Sequence, residues 1–201
     1  MSEIQLAGRV AVVTGAGQGM GRAIAQRLAA GGAKVAALDL NFEQAQETVA
    51  GCVDSSVCMA YACNVAESSA VNETFAAVEA NLGPVSILVN NAGIGRAPGD
   101  GSDQMYELMG KRNEEIANGE EPKTHVDHIG FMEDEGWRGV MGVNLDGAFY
   151  CTRAAVRSMV NADIKGSIIS ISSTAAQSGE GAVHYVTSKA AIVGLTRALA
   201  R

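Results

Sequence analysis

Short apolar runs alternate along the chain with longer stretches in which apolar residues have helical spacing. Five runs have the length and composition of buried strands: Val10–Thr14, Lys34–Asp39, Cys58–Asn64, Ile87–Asn91 and Ser167–Ser172. Helical patterns follow at Gly21–Ala30, Phe42–Gly51, Glu67–Asn81, Gly136–Met159 and Val183–Ala200. Because near-continuous apolar strands separated by helices are typical of a parallel sheet covered on both faces, the pattern predicts a doubly wound α/β sheet. Ligands of such a sheet bind beyond the carboxyl ends of its strands.

A polar, acidic segment between Gly95 and Asp134 interrupts this alternation. Positions 97 to 121 hold seven acidic residues but only two basic ones, Lys111 and Arg112. Met105, Leu108, Met109 and Ile116 give part of the segment a helical apolar stripe. We interpret residues 1–201 as a single domain that contains an insertion at residues 97–135. The insertion is a substrate lid, an oligomer contact or an ordinary solvated surface loop.

A glycine-rich turn joins the first apolar run to the first helical pattern. Its spacing is G-x-x-x-G-x-G, at Gly15, Gly19 and Gly21, and Gln18 and Met20 lie between these glycines. Glycines let the backbone turn sharply, and the free N–H groups at a helix N-terminus attract a phosphate. The turn therefore predicts a nucleotide site, although a glycine loop alone also fits an ordinary strand–helix connection.

An acidic residue, Asp39, ends the second apolar run. At the tip of the second strand of a βαβ unit, a carboxylate can accept hydrogen bonds from the adenosine ribose. It would repel the additional phosphate of NADP, and the nearest positions that could carry a compensating cation, Gln18 and Leu40, are not basic. This favours NAD as the cofactor, with a simple turn-capping role for Asp39 as the alternative.

Composition excludes several classes of partner. The chain has 201 residues, 47% of them hydrophobic, and a net charge of −7 without a cluster of Lys and Arg. We therefore expect neither nucleic acid nor an anionic membrane as a partner. The N-terminus lacks the pattern of a targeting segment and no apolar run approaches membrane-spanning length, so we expect a cytoplasmic protein.

The cysteines and histidines do not form a recognised metal motif. Cys52, Cys58, Cys63 and Cys151 lack C-x-x-C spacing, which favours reduced thiols. His125 and His128 are three residues apart and could share a helical face, but this spacing matches no specific zinc signature. We expect no metal site.

Tyr185 and Lys189 are the candidate chemical groups. A spacing of i and i+4 places them on one face of the last helical pattern. A free phenol has a pKa of about 10, so it needs a nearby cation to act as a base near neutrality. Upstream, the strand end that contains Ser172 and Ser173 offers a hydroxyl to hold a substrate oxygen.

Together these motifs resemble the classical short-chain dehydrogenase/reductase family. The matching elements, in the order that the family has them, are Thr14–Gly21, Asp39, Asn90-Asn91-Ala92-Gly93, Asn144, Ser172/Ser173 and Tyr185 with Lys189. The resemblance implies a Rossmann-type fold and no metal. It also implies a cofactor cleft, with Gly15, Gln18, Gly19, Met20, Gly21, Asp39, Leu40, Asn64, Val65, Asn91, Ala92, Gly93, Tyr185 and Lys189 as the binding residues.

The resemblance also implies a role for each catalytic residue. Tyr185 would exchange a proton with the alcohol or carbonyl oxygen, and Lys189 would favour the phenolate and bind the nicotinamide ribose. A serine would fix the substrate oxygen, and Asn144 would hold a water of the proton relay. The usual distance to the tyrosine selects Ser172, whereas the strand-end pattern selects Ser173; we favour Ser173, because a shift of strand register would turn the side chain to the other face.

Two departures from the family pattern bear on function. Asn64 stands where many members have Asp, which leaves a neutral contact for adenine. The sequence also ends at Arg201, where family members continue through further strands, so we expect a C-terminally incomplete fold. The resemblance further suggests a homodimer or homotetramer built on the Gly136–Met159 and Val183–Ala200 helices.

The predicted function is that of an NAD-dependent oxidoreductase. It would transfer a hydride between the nicotinamide and a small-molecule secondary alcohol or ketone, and reduction of a 3-oxoacyl thioester is a related activity of the same class. The alternative from a different class is a non-catalytic nucleotide-binding or assembly fragment of such an enzyme.

Overall fold

Five parallel strands form the sheet in a computed structural model that describes residues 6–200. The strands are β1 (Val10–Thr14), β2 (Lys34–Asp39), β3 (Cys58–Ala62), β4 (Ile87–Asn90) and β5 (Ser167–Ser170), in the order β3-β2-β1-β4-β5. The chain winds outward from β1 to β3 and then returns to the other side of β1. This is the predicted doubly wound sheet, and the reversal between β1 and β4 opens a crevice at their carboxyl ends.

Helices cover both faces of the sheet. They are α1 (Gly19–Ala30), α2 (Phe42–Ala50), α3 (Ser68–Leu82), α4 (Ser102–Ala117), α5 (Asp134–Met141), α6 (Gly147–Asn161), α7 (Ala175–Ser178) and α8 (Val183–Leu199). Short 3₁₀ turns lie at Ser55–Val57 and Ile129–Phe131, and a π-helical segment at Gly142–Asp146 joins α5 to α6.

Side chains of the central strands alternate between two cores. Val10 and Val12 of β1 pack on one side with residues of α3 and α6, whereas Ala11 and Val13 pack on the other with residues of α1. All five residues of β1 are buried. Burial on both faces is the reason that this strand reads as a continuous apolar run rather than an alternating one.

Several predicted boundaries were wrong. The strands predicted to end at Asn64, Asn91 and Ser172 end one or two residues earlier, at Ala62, Asn90 and Ser170, and the residues that follow leave the sheet. The single helix predicted over Gly136–Met159 begins at Asp134, ends at Asn161 and is divided by the π-helical segment. A wider turn of this kind is not visible in apolar spacing, and it often occurs at functional sites.

The acidic segment between β4 and α5 contains α4, which lies mainly on the surface. Only Ser102 of this helix is buried, and the large apolar side chains of Tyr106, Met109 and Ile116 are exposed. The segment contacts α8 from both of its ends: Asp100 is hydrogen-bonded to His184, and His128 accepts from the backbone N–H of Val183. Within residues 6–200, no helix is long and apolar enough to cross a membrane.

Candidate active site

The glycine loop after β1 is shaped by two different constraints. Gly15 and Gly19 have φ angles of +61° and +54°, which residues with a side chain rarely adopt. Gly21 is limited by space instead, because a Cβ there would lie 2.0 Å from the carbonyl oxygen of Gly15 and 2.6 Å from Nδ2 of Asn91. Gln18 occupies the N-cap of α1 without a side-chain cap, so the first N–H groups of the helix are left for a ligand.

Asn91 locks this loop to the end of β4. Its Nδ2 donates to the carbonyl oxygens of Thr14, at 3.0 Å, and Gly15, at 3.1 Å. In return, the backbone N–H groups of Asn91 and Ala92 donate to Oγ1 of Thr14. Neighbouring Asn90 reaches the other way, to Oγ1 of Thr152 at 3.0 Å. The two asparagines thus hold both sides of the crevice.

A cleft of about 370 Å³ opens at this point. Its walls contain eleven of the residues predicted to bind a cofactor: Gly15, Gln18, Met20, Gly21, Asp39, Leu40, Asn64, Val65, Asn91, Ala92 and Gly93. Cys63, Ile94 and Val143 also line it and were missed, because their apolar side chains read as core in the sequence. The structure therefore brings four strand ends together around one cavity.

The carboxylate of Asp39 anchors the glycine loop as well as forming part of the cleft wall. Oδ2 accepts a hydrogen bond from the backbone N–H of Gly17 at 2.7 Å, and Oδ1 accepts from that of Asn41 at 2.9 Å. Arg22, the cation closest to the loop in sequence, turns away from the cleft: its guanidinium donates to the carbonyl oxygen of Gly17 and to Oε2 of Glu47. Asp39 thus gives the described wall of the cleft a negative charge.

The tyrosine and lysine of α8 lie together as their spacing predicted. Nζ of Lys189 is 5.8 Å from the centre of the Tyr185 ring and donates to the carbonyl oxygen of Ile171 at 3.0 Å. Lys189 is 5% exposed, and burial lowers its pKa. A Cβ on Gly93 would lie 3.2 Å from this Nζ, so the lysine reaches the edge of the cleft.

Asn144 sits in the π-helical segment with its side chain fully engaged. Oδ1 accepts from the backbone N–H of Ile94 at 2.8 Å, and Nδ2 donates to the carbonyl oxygen of Ile94 at 2.9 Å and to Oγ of Ser188 at 3.0 Å. Ser188 in turn donates to the carbonyl oxygen of Tyr185. The side chain of Asn144 thus links the segment after β4 to α8, and its amide is already hydrogen-bonded within the protein.

The two candidate serines have different surroundings. Oγ of Ser172 donates to the carbonyl oxygen of Lys189 at 2.8 Å, so its proton is already used within the protein. Oγ of Ser173 accepts from the backbone N–H of Ala175 at 3.2 Å, and among residues 6–200 its own proton has no acceptor. Ser173 is therefore the one with a hydroxyl proton left for a substrate oxygen.

The cysteines and the two histidines considered as metal ligands are the remaining candidate groups. All four cysteines are free thiols, and burial raises the pKa of Cys63, the one that lines the cleft. His125 is exposed whereas His128 is buried, so the two rings do not face one ion. Over residues 6–200, no group of three or more His, Cys, Asp or Glu side chains is arranged to hold a metal.

Comparison with known proteins places the chain in a family. The family model for short chain dehydrogenases matches residues 9–201. The chain is 36% identical over 210 residues to (3R)-3-hydroxyacyl-CoA dehydrogenase of Mus musculus, covering 100% of this chain and 70% of that protein. It is 32% identical over 200 residues to D-threitol dehydrogenase of Mycolicibacterium smegmatis, covering 98% of this chain and 65% of that protein.

Comparison with solved structures agrees with the sequence comparison. The structure of NAD+-bound xylitol dehydrogenase superimposes with a TM-score of 0.76 and 29% identity, covering 96% of this chain and 64% of that one. The sheet, the crevice and the relatives define an oxidoreductase of the α/β class. The chain belongs to the short chain dehydrogenase family.

Proposed function

We propose that the chain is an NAD-dependent oxidoreductase that transfers a hydride between the nicotinamide and a secondary alcohol or ketone. The observation that carries this proposal is the pairing of Tyr185 with Lys189, whose Nζ lies with Oδ1 of Asn144 beside Gly93, at the edge of the cleft that the glycine loop and Asp39 also line. A dinucleotide is the ligand class that needs both a phosphate site and a distant reaction centre.

The residues of the cleft fit NAD. Gly21 lines the cleft without a side chain, for which Gly15 and Asn91 leave no room, and the uncapped N–H groups of α1 would face the pyrophosphate. Asp39 would accept from the adenosine ribose, Asn64 and Val65 would contact the adenine, and Lys189 would contact the nicotinamide ribose. When bound, the cofactor supplies the acceptor for the hydride that leaves the alcohol carbon.

Residues of the protein would transfer the proton between the substrate and solvent. Tyr185 would take the hydroxyl proton of the alcohol as the hydride leaves, so that the substrate becomes a ketone, and would return it in the reverse direction. Lys189, held by Ile171, would stabilise negative charge on the phenolate. Ser173 would donate its free hydroxyl proton to the substrate oxygen, and the backbone of Asn144 would hold the water through which the proton reaches solvent.

Substituting the cleft wall next to Asp39 should change the cofactor preference. Leu40 lines the cleft and is 76% exposed, so Leu40→Arg adds a cation without disturbing the contacts of Asp39. We expect the Kd for NADP to fall about tenfold, as one charge-assisted contact to a phosphate allows. Titration calorimetry with NAD and NADP measures it, and Leu40→Gln is the uncharged control.

The wild-type chain and Asp39→Ala complete this test. We expect NAD to raise the melting temperature of the wild-type chain more than NADP does, and Asp39→Ala to reduce that difference. Equal shifts with the two cofactors would contradict the NAD preference, and no shift with either would contradict the cofactor site itself.

The serine pair makes a second prediction. Ser173→Ala should lower kcat about 10²-fold because it removes a donor to the developing oxyanion, with little change in the melting temperature. Ser172→Ala should lower the free energy of unfolding by about 1 kcal/mol, because it removes a hydrogen bond to α8, and should affect kcat less. Steady-state kinetics and urea unfolding of both variants decide the assignment; a greater loss of kcat in Ser172→Ala would reverse it.

Three finer proposals concern the substrate class, the domain organisation and the oligomeric state of the protein. The named relatives support a secondary alcohol as the substrate, either in a 3-hydroxyacyl thioester or in a sugar alcohol. We further propose one domain, with residues 97–135 as an insertion beside the cleft, in a cytoplasmic homodimer or homotetramer. Phe149, Val156 and Val160 on α6 expose the apolar surface that such an assembly would cover.

A further inference from the structure

Three buried polar side chains outside the cleft meet at the beginning of the helix that carries Tyr185. They are Asp100, His128 and His184, which are 3%, 7% and 0% exposed. Asp100 and His128 belong to the acidic 97–135 segment, and His184 directly precedes the tyrosine. The proposed reaction uses none of them.

Both imidazoles accept hydrogen bonds from the first turn of α8. Nδ1 of His128 accepts from the backbone N–H of Val183 at 3.2 Å, and Nδ1 of His184 accepts from that of Tyr185 at 2.7 Å. The first N–H groups of a helix have no partner within it, and the N-cap residue here, Ala182, has no side chain that could serve. The 97–135 segment therefore supplies a cap from a distant part of the chain.

Asp100 holds the opposite nitrogen of each ring. Nε2 of His128 lies 2.8 Å from the backbone oxygen of Asp100, and Nε2 of His184 lies 3.3 Å from its Oδ2. Since each Nδ1 accepts a hydrogen bond, each Nε2 carries the proton and both rings are neutral. The rings also contact one another edge to face, with 5.4 Å between their centres.

Asp100 is itself fixed by backbone contacts. Its carboxylate accepts from the N–H groups of Ala97 and Ser102, at 2.9 and 2.8 Å, and a Cβ on Gly136 would lie 2.4 Å from its backbone nitrogen. Burial alone would raise the pKa of this carboxyl, but these hydrogen bonds and the one from His184 outweigh it and lower the pKa to about 2. The residue that orients both imidazoles is thus a rigid, ionised acceptor.

We infer that Asp100, His128 and His184 are positioning residues that fix the first turn of α8, and with it the Tyr185 phenol, to the 97–135 segment. The inference rests on the proposed function, since it assigns the network to the proton-transfer residue of that reaction. Independently of this network, Ser188 donates to the carbonyl oxygen of Tyr185 and accepts from Asn144. The first turn of α8 is therefore held both by the network and by Asn144. A small displacement of a reacting group is enough to reduce turnover strongly.

Two substitutions of His128 separate its contacts. Oδ1 of an asparagine occupies nearly the place of Nδ1, so His128→Asn keeps an acceptor for Val183. Nε2 of a glutamine can reach the place of the ring Nε2, so His128→Gln keeps a donor for Asp100. If the cap on α8 is what matters, kcat should fall about tenfold or more in His128→Gln and in His128→Leu, and recover in His128→Asn.

The Kd for NAD should stay within about twofold of the wild type in all three variants, because none of the network lines the cleft. Equal kcat in the wild type, His128→Gln and His128→Leu would overturn the inference. An equal loss in the Asn and Gln variants would also overturn it, because it would assign the effect to packing rather than to the acceptor. The Asn and Gln pair keeps the comparison available if His128→Leu does not fold.

A spectroscopic readout tests the network without any substrate. In ¹⁵N-histidine-labelled protein, we expect the Nε2–H tautomer at both His128 and His184, with exposed His125 as the solvent-facing reference. The amide hydrogens of Val183 and Tyr185 should exchange slowly, and His128→Gln should accelerate exchange at Val183 relative to Asn90 in the sheet. An Nδ1–H tautomer at either ring would refute the network, whereas an absence of turnover in the wild type with these signals intact would refute only the proposed function.

Discussion

Replacing Tyr185 with phenylalanine should reduce kcat about 10³-fold and leave the affinity for NAD nearly unchanged. The phenol oxygen is the proposed acceptor of the substrate proton, and loss of a general acid–base group costs a rate of this order. The ring is retained, so its contact with Lys189, whose Nζ is 5.8 Å from the ring centre, persists. Initial rates of NAD reduction over a panel of secondary alcohols, together with calorimetric titration of NAD, measure both quantities.

Tyr61→Phe is the matched control for this experiment. The Tyr61 hydroxyl contacts Asn81 and Met59 at the far edge of the sheet, so its removal should leave kcat unchanged. Turnover that survives in Tyr185→Phe would remove the tyrosine from the mechanism. Intact NAD binding with no turnover in any variant, the wild type included, would instead support the non-catalytic alternative for this chain.

Much of the fold could be predicted because its signals are local. All of β1 and the middle four residues of β2 are buried on both faces, so these two strands are recognisable as apolar runs in the sequence. The glycine loop is equally local, since a positive φ at Gly15 and the crowding of Gly21 both exclude other residues within one turn of chain. The i, i+4 spacing of Tyr185 and Lys189 required only a helix, which the structure contains.

The features that sequence reasoning missed depend on contacts between distant residues. His128 and Val183 are brought together only by the path of the acidic segment, and sequence reasoning considered this histidine only for a metal site, which it rejected, and not as a helix cap. The engagement of Asn144 with Ile94 likewise follows from the π-helical segment, which apolar periodicity does not reveal. Local patterns specify elements, but the partners of buried polar groups are set by tertiary packing.

The serine assignment lies between these two cases. The argument from strand register preferred Ser173 over Ser172 because a one-residue shift changes the face of the side chain. The structure gives an independent reason for the same preference, since Ser172 already donates to the backbone of Lys189. A hydroxyl whose proton is donated to the backbone of α8 cannot at the same time donate to a substrate, and the proposed kinetics of the two alanine variants test this division of roles.

The strongest effect on the cofactor site is expected from Gly21→Ala. The added methyl group would lie 2.0 Å from the carbonyl oxygen of Gly15 and 2.8 Å from its carbonyl carbon, so backbone rather than a flexible side chain must move. We expect the free energy of unfolding to fall by about 3 kcal/mol, the upper part of the range for overpacked sites. Binding of NAD should become undetectable by calorimetry, because the displaced loop is the one proposed to face the pyrophosphate.

Two other glycines separate this steric effect from a conformational one. Gly19 has φ +54° with nothing within 4 Å of an added Cβ, so Gly19→Ala should cost about 1 kcal/mol through backbone strain alone. Gly110 lies exposed within α4 with equally open surroundings, so Gly110→Ala should stabilise the chain by about 0.5–1 kcal/mol. Urea unfolding of the three variants should therefore give costs in the order Gly21, Gly19, Gly110. If Gly21→Ala were as mild as Gly19→Ala, the loop would have room to yield, and close packing against Gly15 could not be what shapes the cleft.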